Sequence, residues 1–176
     1  DSVAELCCCS GGFAFHAVSN GASEVAAVDA SAAALELSRR NAELNGPEYV
    51  ERISFEKADI AKWMVDAKDA GRSFDVIILD PPKLAPSRSR TALDRAKGRY
   101  KRLNAAAMRI LNPGGLLVTC SCSAAMTQSG DFMSMVQMAS REARREITTL
   151  KVEGAAPDHT LNPCFPEGEY LTAAFV

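Results

Sequence analysis

Residues 74–80, Phe-Asp-Val-Ile-Ile-Leu-Asp, form a nearly unbroken apolar run that stops on Pro81-Pro82-Lys83. A strand with one wet face alternates apolar and polar side chains. A strand without that alternation is buried on both faces, as the centre of a parallel sheet is. Parallel neighbours cannot be joined by a tight turn and need long crossovers, usually helical. One such strand therefore commits its chain to alternating strands and helices.

The rest of the sequence carries that alternation. Strands are expected at residues 3–6, 24–29, 53–59, 74–80, 116–120, 147–152 and 170–176. Helices are expected at 12–18, from a Ser31 cap to the Gly46-Pro47 stop, at 61–70, in a long stretch ending at Leu111, and at 129–144. Asn112-Pro113-Gly114-Gly115 reads as a turn. The expected fold is α/β: a seven-stranded, mostly parallel sheet with helices on both faces. Met133, Val136, Met138 and Ala139 are expected to pack on the sheet, and Trp63 in the core. The 176 residues suffice for one domain, residues 1–176. Because the chain opens directly on the first strand, it reads as a domain from a longer protein.

No apolar run approaches the ~20 residues of a membrane span, and no leader peptide is visible. The six cysteines include a consecutive Cys7-Cys8-Cys9 and no CxxC pair. That spacing suits neither a disulfide framework nor a metal site, and reduced thiols in an intracellular compartment are expected. Net charge is −2, yet eight basic residues (Lys83, Arg88, Arg90, Arg95, Lys97, Arg99, Lys101, Arg102) and one acid, Asp94, fall between positions 83 and 102. That stretch carries about +7 and leaves about −9 elsewhere. It is either a phosphate-binding surface or a solvated helix face.

In parallel sheets ligands bind beyond the carboxyl ends of the strands, and the informative residues follow the strands here. Glu5-Leu6-Cys7-Cys8-Cys9-Ser10-Gly11-Gly12-Phe13 closes the first strand with paired glycines. It is not GxGxxG, so a nicotinamide dinucleotide is disfavoured. Asp29 follows the second strand, where a carboxylate can accept from both hydroxyls of a ribose. Asp59 follows the third, placed to meet an adenine amino group. Any one of these acids alone would be read as a helix cap.

With Asp80-Pro81-Pro82 after the fourth strand, the set resembles the class I S-adenosylmethionine-dependent methyltransferases that modify RNA and DNA. The resemblance implies a Rossmann-like fold. It also implies a cofactor site of Glu5, Ser10, Gly11, Gly12, Phe13, Asp29, Asp59, Asp80 and Pro81. Amine methyltransferases of that group carry an aromatic residue after the prolines, whereas Lys83 stands here. Thr119-Cys120-Ser121-Cys122-Ser123 instead resembles the sixth motif of RNA cytosine-5 methyltransferases. Tyr100 with Leu103-Asn104, Ala156-Pro157-Asp158-His159 and Pro166-Glu167-Gly168-Glu169-Tyr170-Leu171 extend the likeness to the bacterial and organellar family that methylates cytosine in large-subunit ribosomal RNA.

That likeness implies Cys122 as nucleophile, Cys120 as the alternate, and Asp80 at the cytosine edge. Pro82, Lys83, Tyr100, Asn104 and His159 are the implied substrate contacts. RNA is the implied partner, with no metal and no membrane, in the cytoplasm or an organelle; a homodimer is one assembly left open. The likeness implies that an amino-terminal RNA-binding module and a connecting domain precede the catalytic fold in relatives, and residues 1–176 are expected to correspond to the catalytic fold alone. Two other readings stand beside this one: a methyltransferase of another acceptor such as a base amine, and a cofactor- or RNA-binding remnant without turnover. Cys7, Cys8 and Cys9 are read as packing residues and His16 is given no role.

Overall fold

The computed structural model describes residues 1–84 and 89–176. The chain divides into two compact units, residues 1–80 with 110–117 and residues 81–109 with 118–176.

The first unit opens with β1 (Ser2–Leu6), α1 (Gly12–Ser19) and β2 (Glu24–Asp29). It continues through α2 (Ala32–Asn45), α3 (Pro47–Arg52), β3 (Ile53–Lys57), α4 (Ile60–Asp69) and β4 (Phe74–Leu79). Strand β1 pairs in parallel with β2 and β4, and β2 in parallel with β3. Leu6 lies opposite both Val28 and Leu79, and Asp29 opposite Lys57, so these four strands end together at one edge. Ala4, Leu6, Ala27, Val28, Ile77 and Leu79 are fully buried, as strands without alternation require. Ser31 caps α2 by accepting the Ala34 amide at 3.2 Å. Trp63 is core, as expected: its indole donates to Glu56 at 2.6 Å and the Arg72 guanidinium lies over its ring.

The second unit holds α5 (Arg90–Arg109), α6 (Ala124–Ser129), α7 (Asp131–Ala143), β6 (Lys151–Glu153) and β7 (Thr172–Phe175). Strand β5 (Leu111–Ser121) begins in the first unit and ends in the second. Its second part pairs antiparallel with β7, which pairs antiparallel with β6. The hydrogen-bonded order is β3-β2-β1-β4-β5-β7-β6, seven strands, mostly parallel. Helices α5 and α7 lock together through Tyr100 edge-on to Phe132 and through Lys97–Asp131 and Lys101–Glu142 ion pairs. No helix among the described residues is long and apolar enough to cross a membrane.

Gly46-Pro47 ends α2 as expected, and Pro47 also starts a short helix that was not expected, α3, because proline at the first helical position gives up no hydrogen bond. Three local expectations need correction. Asn112-Pro113-Gly114-Gly115 does not separate helix from strand: it lies inside β5, with Gly114 taking a positive φ of 79°. Residues 147–150 are not strand, and β6 is confined to Lys151–Glu153, with all three residues exposed. Met138 is 46% exposed, because the buried face of α7 is Phe132, Met135, Val136, Ala139 and Ser140.

Gly115 packs too closely for any other residue, since an added Cβ would lie 2.7 Å from the Asp75 carbonyl oxygen. Gly115→Ala should destabilise the protein by about 1–3 kcal/mol through forced displacement of backbone. Urea unfolding measures this, and a change below about 0.5 kcal/mol would show that the strands part at no cost.

Candidate active site

In the first unit the loop after β1 is the most constrained stretch of backbone. Cys7 and Cys9 take positive φ of 68° and 49°, and Gly11 one of 83°. Two non-glycine residues in that region carry strain that surrounding bonds must hold. The Cys7 and Cys8 amides both donate to the Val28 carbonyl, the Cys9 amide to Asp29 Oδ2 at 3.0 Å, and Gly11 to the Cys8 carbonyl at 2.7 Å. At Gly11 a Cβ would collide with Ser38 Oγ and the Phe15 ring, whereas at Gly12 it would meet nothing within 4 Å. Gly11 is thus required by packing, and Gly12 leaves open space in front of α1.

Glu5 anchors this loop from below. It is 3% exposed, and its Oε2 accepts the Ala14 amide in the first turn of α1 at 2.8 Å. Burial, which outweighs the helix amides, and the nearby Asp80 and Asp29 push its carboxyl from 4.5 up to about 7. A helix start already holding its own carboxyl group is a poor phosphate site, which agrees with the absence of a dinucleotide fingerprint.

Asp29 is half-buried, with Oδ1 accepting the Ser31 amide at 2.8 Å and Oδ2 the Cys9 amide. A carboxylate has about four acceptor positions, so both oxygens retain capacity toward a diol. Asp59 is exposed and caps α4, its Oδ1 accepting from Ala61 and Lys62 at 3.0 Å each. The capping reading of that acid is therefore realised. Its Oδ2 accepts nothing among the described residues. Asp80 is half-buried, its amide donating to Leu6 at 3.3 Å, and burial raises its carboxyl above the usual range. Ser10 is half-buried and Phe13 is 48% exposed. The rim of the first unit thus gathers acids around open space, which favours a ligand bearing hydrogen-bond donors and positive charge.

The same acids silence two thiols. Burial first, then Asp29 and Asp80, push Cys7 up to about 12; burial, Glu5 and Asp29 push Cys8 up to about 12. Neither supplies a thiolate near neutrality.

In the second unit Cys120 is buried and paired opposite Ala173 in the β5–β7 ladder. Cys122 lies one residue past the end of β5, half-buried, with Sγ 4.0 Å from the Pro81 carbonyl oxygen. Between them Ser121 is fully buried, 3.1 Å from the Tyr100 hydroxyl, and its Oγ also accepts the Ser123 amide at 3.4 Å. Tyr100 and Asn104 are both 0% exposed, and Asn104 donates to the Tyr100 carbonyl. They stand beneath the cysteine strand rather than on a surface that a substrate could reach. Their sequence signal was ambiguous, since a tyrosine and an asparagine at i and i+4 suit a site and a core equally. Pro81 is buried, while Pro82 and Lys83 are exposed. His159 is exposed, its Nε2 3.2 Å from the Gly168 carbonyl and its ring edge-on to Tyr170. It fastens its own loop. Arg88 of the basic run lies outside the described residues.

Glu5 generates a pH prediction. The unfolded chain loses this proton near pH 4.5, whereas the folded chain keeps it to about pH 7. The folded state binds more protons across that window, so stability falls as pH rises through it, by about 3 kcal/mol from this group. Glu5→Gln keeps an acceptor for Ala14 and should remove that fall. Urea unfolding at several pH values tests it; the same pH slope in both proteins would contradict the assignment.

The methyltransferase-domain family model matches residues 1–161. The "Ribosomal RNA large subunit methyltransferase I" of Photobacterium profundum is 44% identical over 164 residues, covering 93% of this chain and 40% of that protein. The protein of the same name from Shewanella denitrificans is 40% identical over 170 residues, covering 97% of this chain and 42% of that protein. The chain spans about two-fifths of the length of these curated relatives. Among solved structures, a methyltransferase complexed with SAH superposes with a TM-score of 0.84 at 22% identity, over 99% of this chain and 44% of that one. A SAM-dependent methyltransferase from Streptococcus mutans gives 0.82 at 21%, over 99% and 43%. These two establish the likeness of fold. With the strand order, the acid-rimmed loop edge and a family model spanning nearly its whole length, the chain belongs to the methyltransferase-domain family.

Proposed function

We propose that this chain is the catalytic domain of an S-adenosylmethionine-dependent RNA methyltransferase that modifies C5 of cytosine in large-subunit ribosomal RNA. The observation that carries the reading is the Cys122 thiol. It lies beyond the paired ladder, half-exposed, 4.0 Å from the carbonyl of the first proline in Asp80-Pro81-Pro82. The identity to large-subunit ribosomal RNA methyltransferases, 44% over 93% of the chain in one case, supports the substrate class.

The residues of the first unit fit the cofactor. An acid-rimmed space suits its sulfonium and ammonium charges. Asp29 accepts from the ribose hydroxyls, Asp59 offers its unused Oδ2 to the adenine amine, and Glu5, Ser10, Gly11, Gly12, Phe13 and Asp80 complete the wall. When bound, the cofactor supplies an electrophilic methyl group on sulfur.

Carbon 5 of cytosine is a weak nucleophile and needs covalent help. The Cys122 thiolate bonds to C6, and the electrons of the C5–C6 double bond become available at C5. Asp80, whose carboxyl burial raises, donates its proton to N3, accepts from the N4 amine and offsets the charge that develops. C5 would take the methyl group as its bond to the cofactor sulfur breaks and leaves its electron pair on that sulfur; a base then removes the C5 proton, and the electron pair left behind expels the Cys122 sulfur. Pro82 and Lys83 form the exposed lip for the nucleotide. Tyr100, Asn104 and Ser121 position the strand end from below, and His159 holds the neighbouring loop. Cys120, inside the ladder, is the weaker candidate nucleophile.

Incubation with methyl-labelled cofactor and ribosomal RNA, followed by nucleoside mass analysis, tests the reading. 5-Methylcytidine is expected, with Cys122→Ala slowing its formation at least ~10³-fold and Cys120→Ala leaving most of it. Loss through Cys120→Ala alone would move the nucleophile. Label in a base amine, or activity surviving loss of both thiols, would replace the mechanism by direct amine methylation.

A further inference from the structure

The basic run of α5 is not one surface. Lys97 and Lys101 lie four residues apart and are bound to α7, Lys97 to Asp131 at 2.7 Å and Lys101 to Glu142 at 2.9 Å. Asp94, the one acid of the run, falls on the same side of the helix by its spacing of three from Lys97. Arg95, Arg99 and Arg102 follow the spacing i, i+4, i+7, which at 3.6 residues per turn confines them to about 60° of arc on the far side. All three are exposed and none makes an ion pair among the described residues, although Arg102 contributes to lowering the Glu142 carboxyl. Tyr100 and Ala96 bury the remaining face.

We propose that Arg95, Arg99 and Arg102 form a contact surface for the phosphodiester backbone of single-stranded RNA. This rests on the RNA reading above and names a contact it leaves open. The three side chains span about 10.5 Å along the helix axis, a row long enough to meet more than one phosphate of a strand laid along it. These residues carry a net charge of −2 and gain little general attraction for a polyanion, whereas a local row of guanidinium groups supplies it at one face. Guanidinium forks donate to phosphate oxygens two at a time, and among the described residues none of these three is within ion-pair distance of a carboxylate. Lys97 and Lys101, by contrast, hold helix to helix.

The test compares two charge-matched variants of one helix, Arg95→Gln with Arg99→Gln and Lys97→Gln with Lys101→Gln. Binding of a fluorescein-labelled single-stranded RNA is followed by anisotropy across a salt series. Each lost phosphate contact should reduce the slope of log affinity against log salt by about 0.7 for a single strand. The arginine pair should therefore lower the slope by about 1.4 and weaken binding about tenfold or more, while the lysine pair leaves the slope unchanged. Equal slopes in both variants would overturn the surface while the RNA reading stood. Salt-dependent capture of polyglutamate in place of RNA would assign the face to an acidic protein and overturn it. If the unsubstituted protein neither binds nor methylates RNA, the function itself is wrong and the inference falls with it.

Discussion

The Glu5 carboxyl group, buried between β1 and the first turn of α1, is the contact on which the first unit depends. Its bond to the Ala14 amide fixes where the helix starts, and so how the chain must turn between Leu6 and Gly12. That turn forces Cys7 and Cys9 into strained conformations, which the Val28 carbonyl and Asp29 carboxylate hold. The same bond occupies the positive end of the helix and leaves the rim acidic. The second unit uses a matching device: a buried Tyr100–Ser121 contact lies under the strand end that bears Cys122. In each unit a satisfied buried polar pair supports the backbone nearest the chemistry, where an unsatisfied one would be costly.

This arrangement explains a division among the cysteines. Desolvation and the neighbouring acids Asp29, Asp80, Asp59 and Glu5 keep Cys7 and Cys8 protonated, so their closeness to the acidic rim does not make them nucleophiles. Cys120 is enclosed by pairing with Ala173. Cys122 lies one residue past the end of the strand and is half-buried, outside the ladder. Position relative to the end of the ladder, more than residue type, separates a reactive candidate from a packing one.

Much of the fold was legible because its strongest signals are local. The apolar run at 74–80 announced a doubly buried strand, and β2 was bounded at Glu24–Asp29 by its own pattern. One failure was non-local. Asn112-Pro113-Gly114-Gly115 has turn chemistry, but the Asp75 backbone beside Gly115 draws it into β5. Met138 was read as core from the methionine content of its helix, whereas the spacing of Phe132, Met135, Val136 and Ala139 at i, i+3, i+4 and i+7 already marks the buried face and leaves Met138 off it. The acids Asp29, Asp59 and Asp80 at the ends of β2, β3 and β4 were legible as a set because parallel strands must end at one edge. Whether each would cap a helix or face a ligand was not: Asp59 does cap α4, while keeping one oxygen clear. Likewise the basic run was visible as charge, but its division into a bound lysine side and an open arginine side needed the acids of α7, some thirty to forty residues away.

The claim at the centre of the account is a covalent bond between Cys122 and the pyrimidine. RNA containing 5-fluorocytidine tests it directly, because fluorine cannot leave C5 as a proton does and the sulfur–C6 bond then has no route to break. Incubation with S-adenosylmethionine should give an adduct that survives denaturing electrophoresis, and peptide mass mapping should find the nucleotide on the peptide containing Cys122, at that sulfur. Methylated RNA with no trapped protein, or a nucleotide attached at any other residue, would contradict the account.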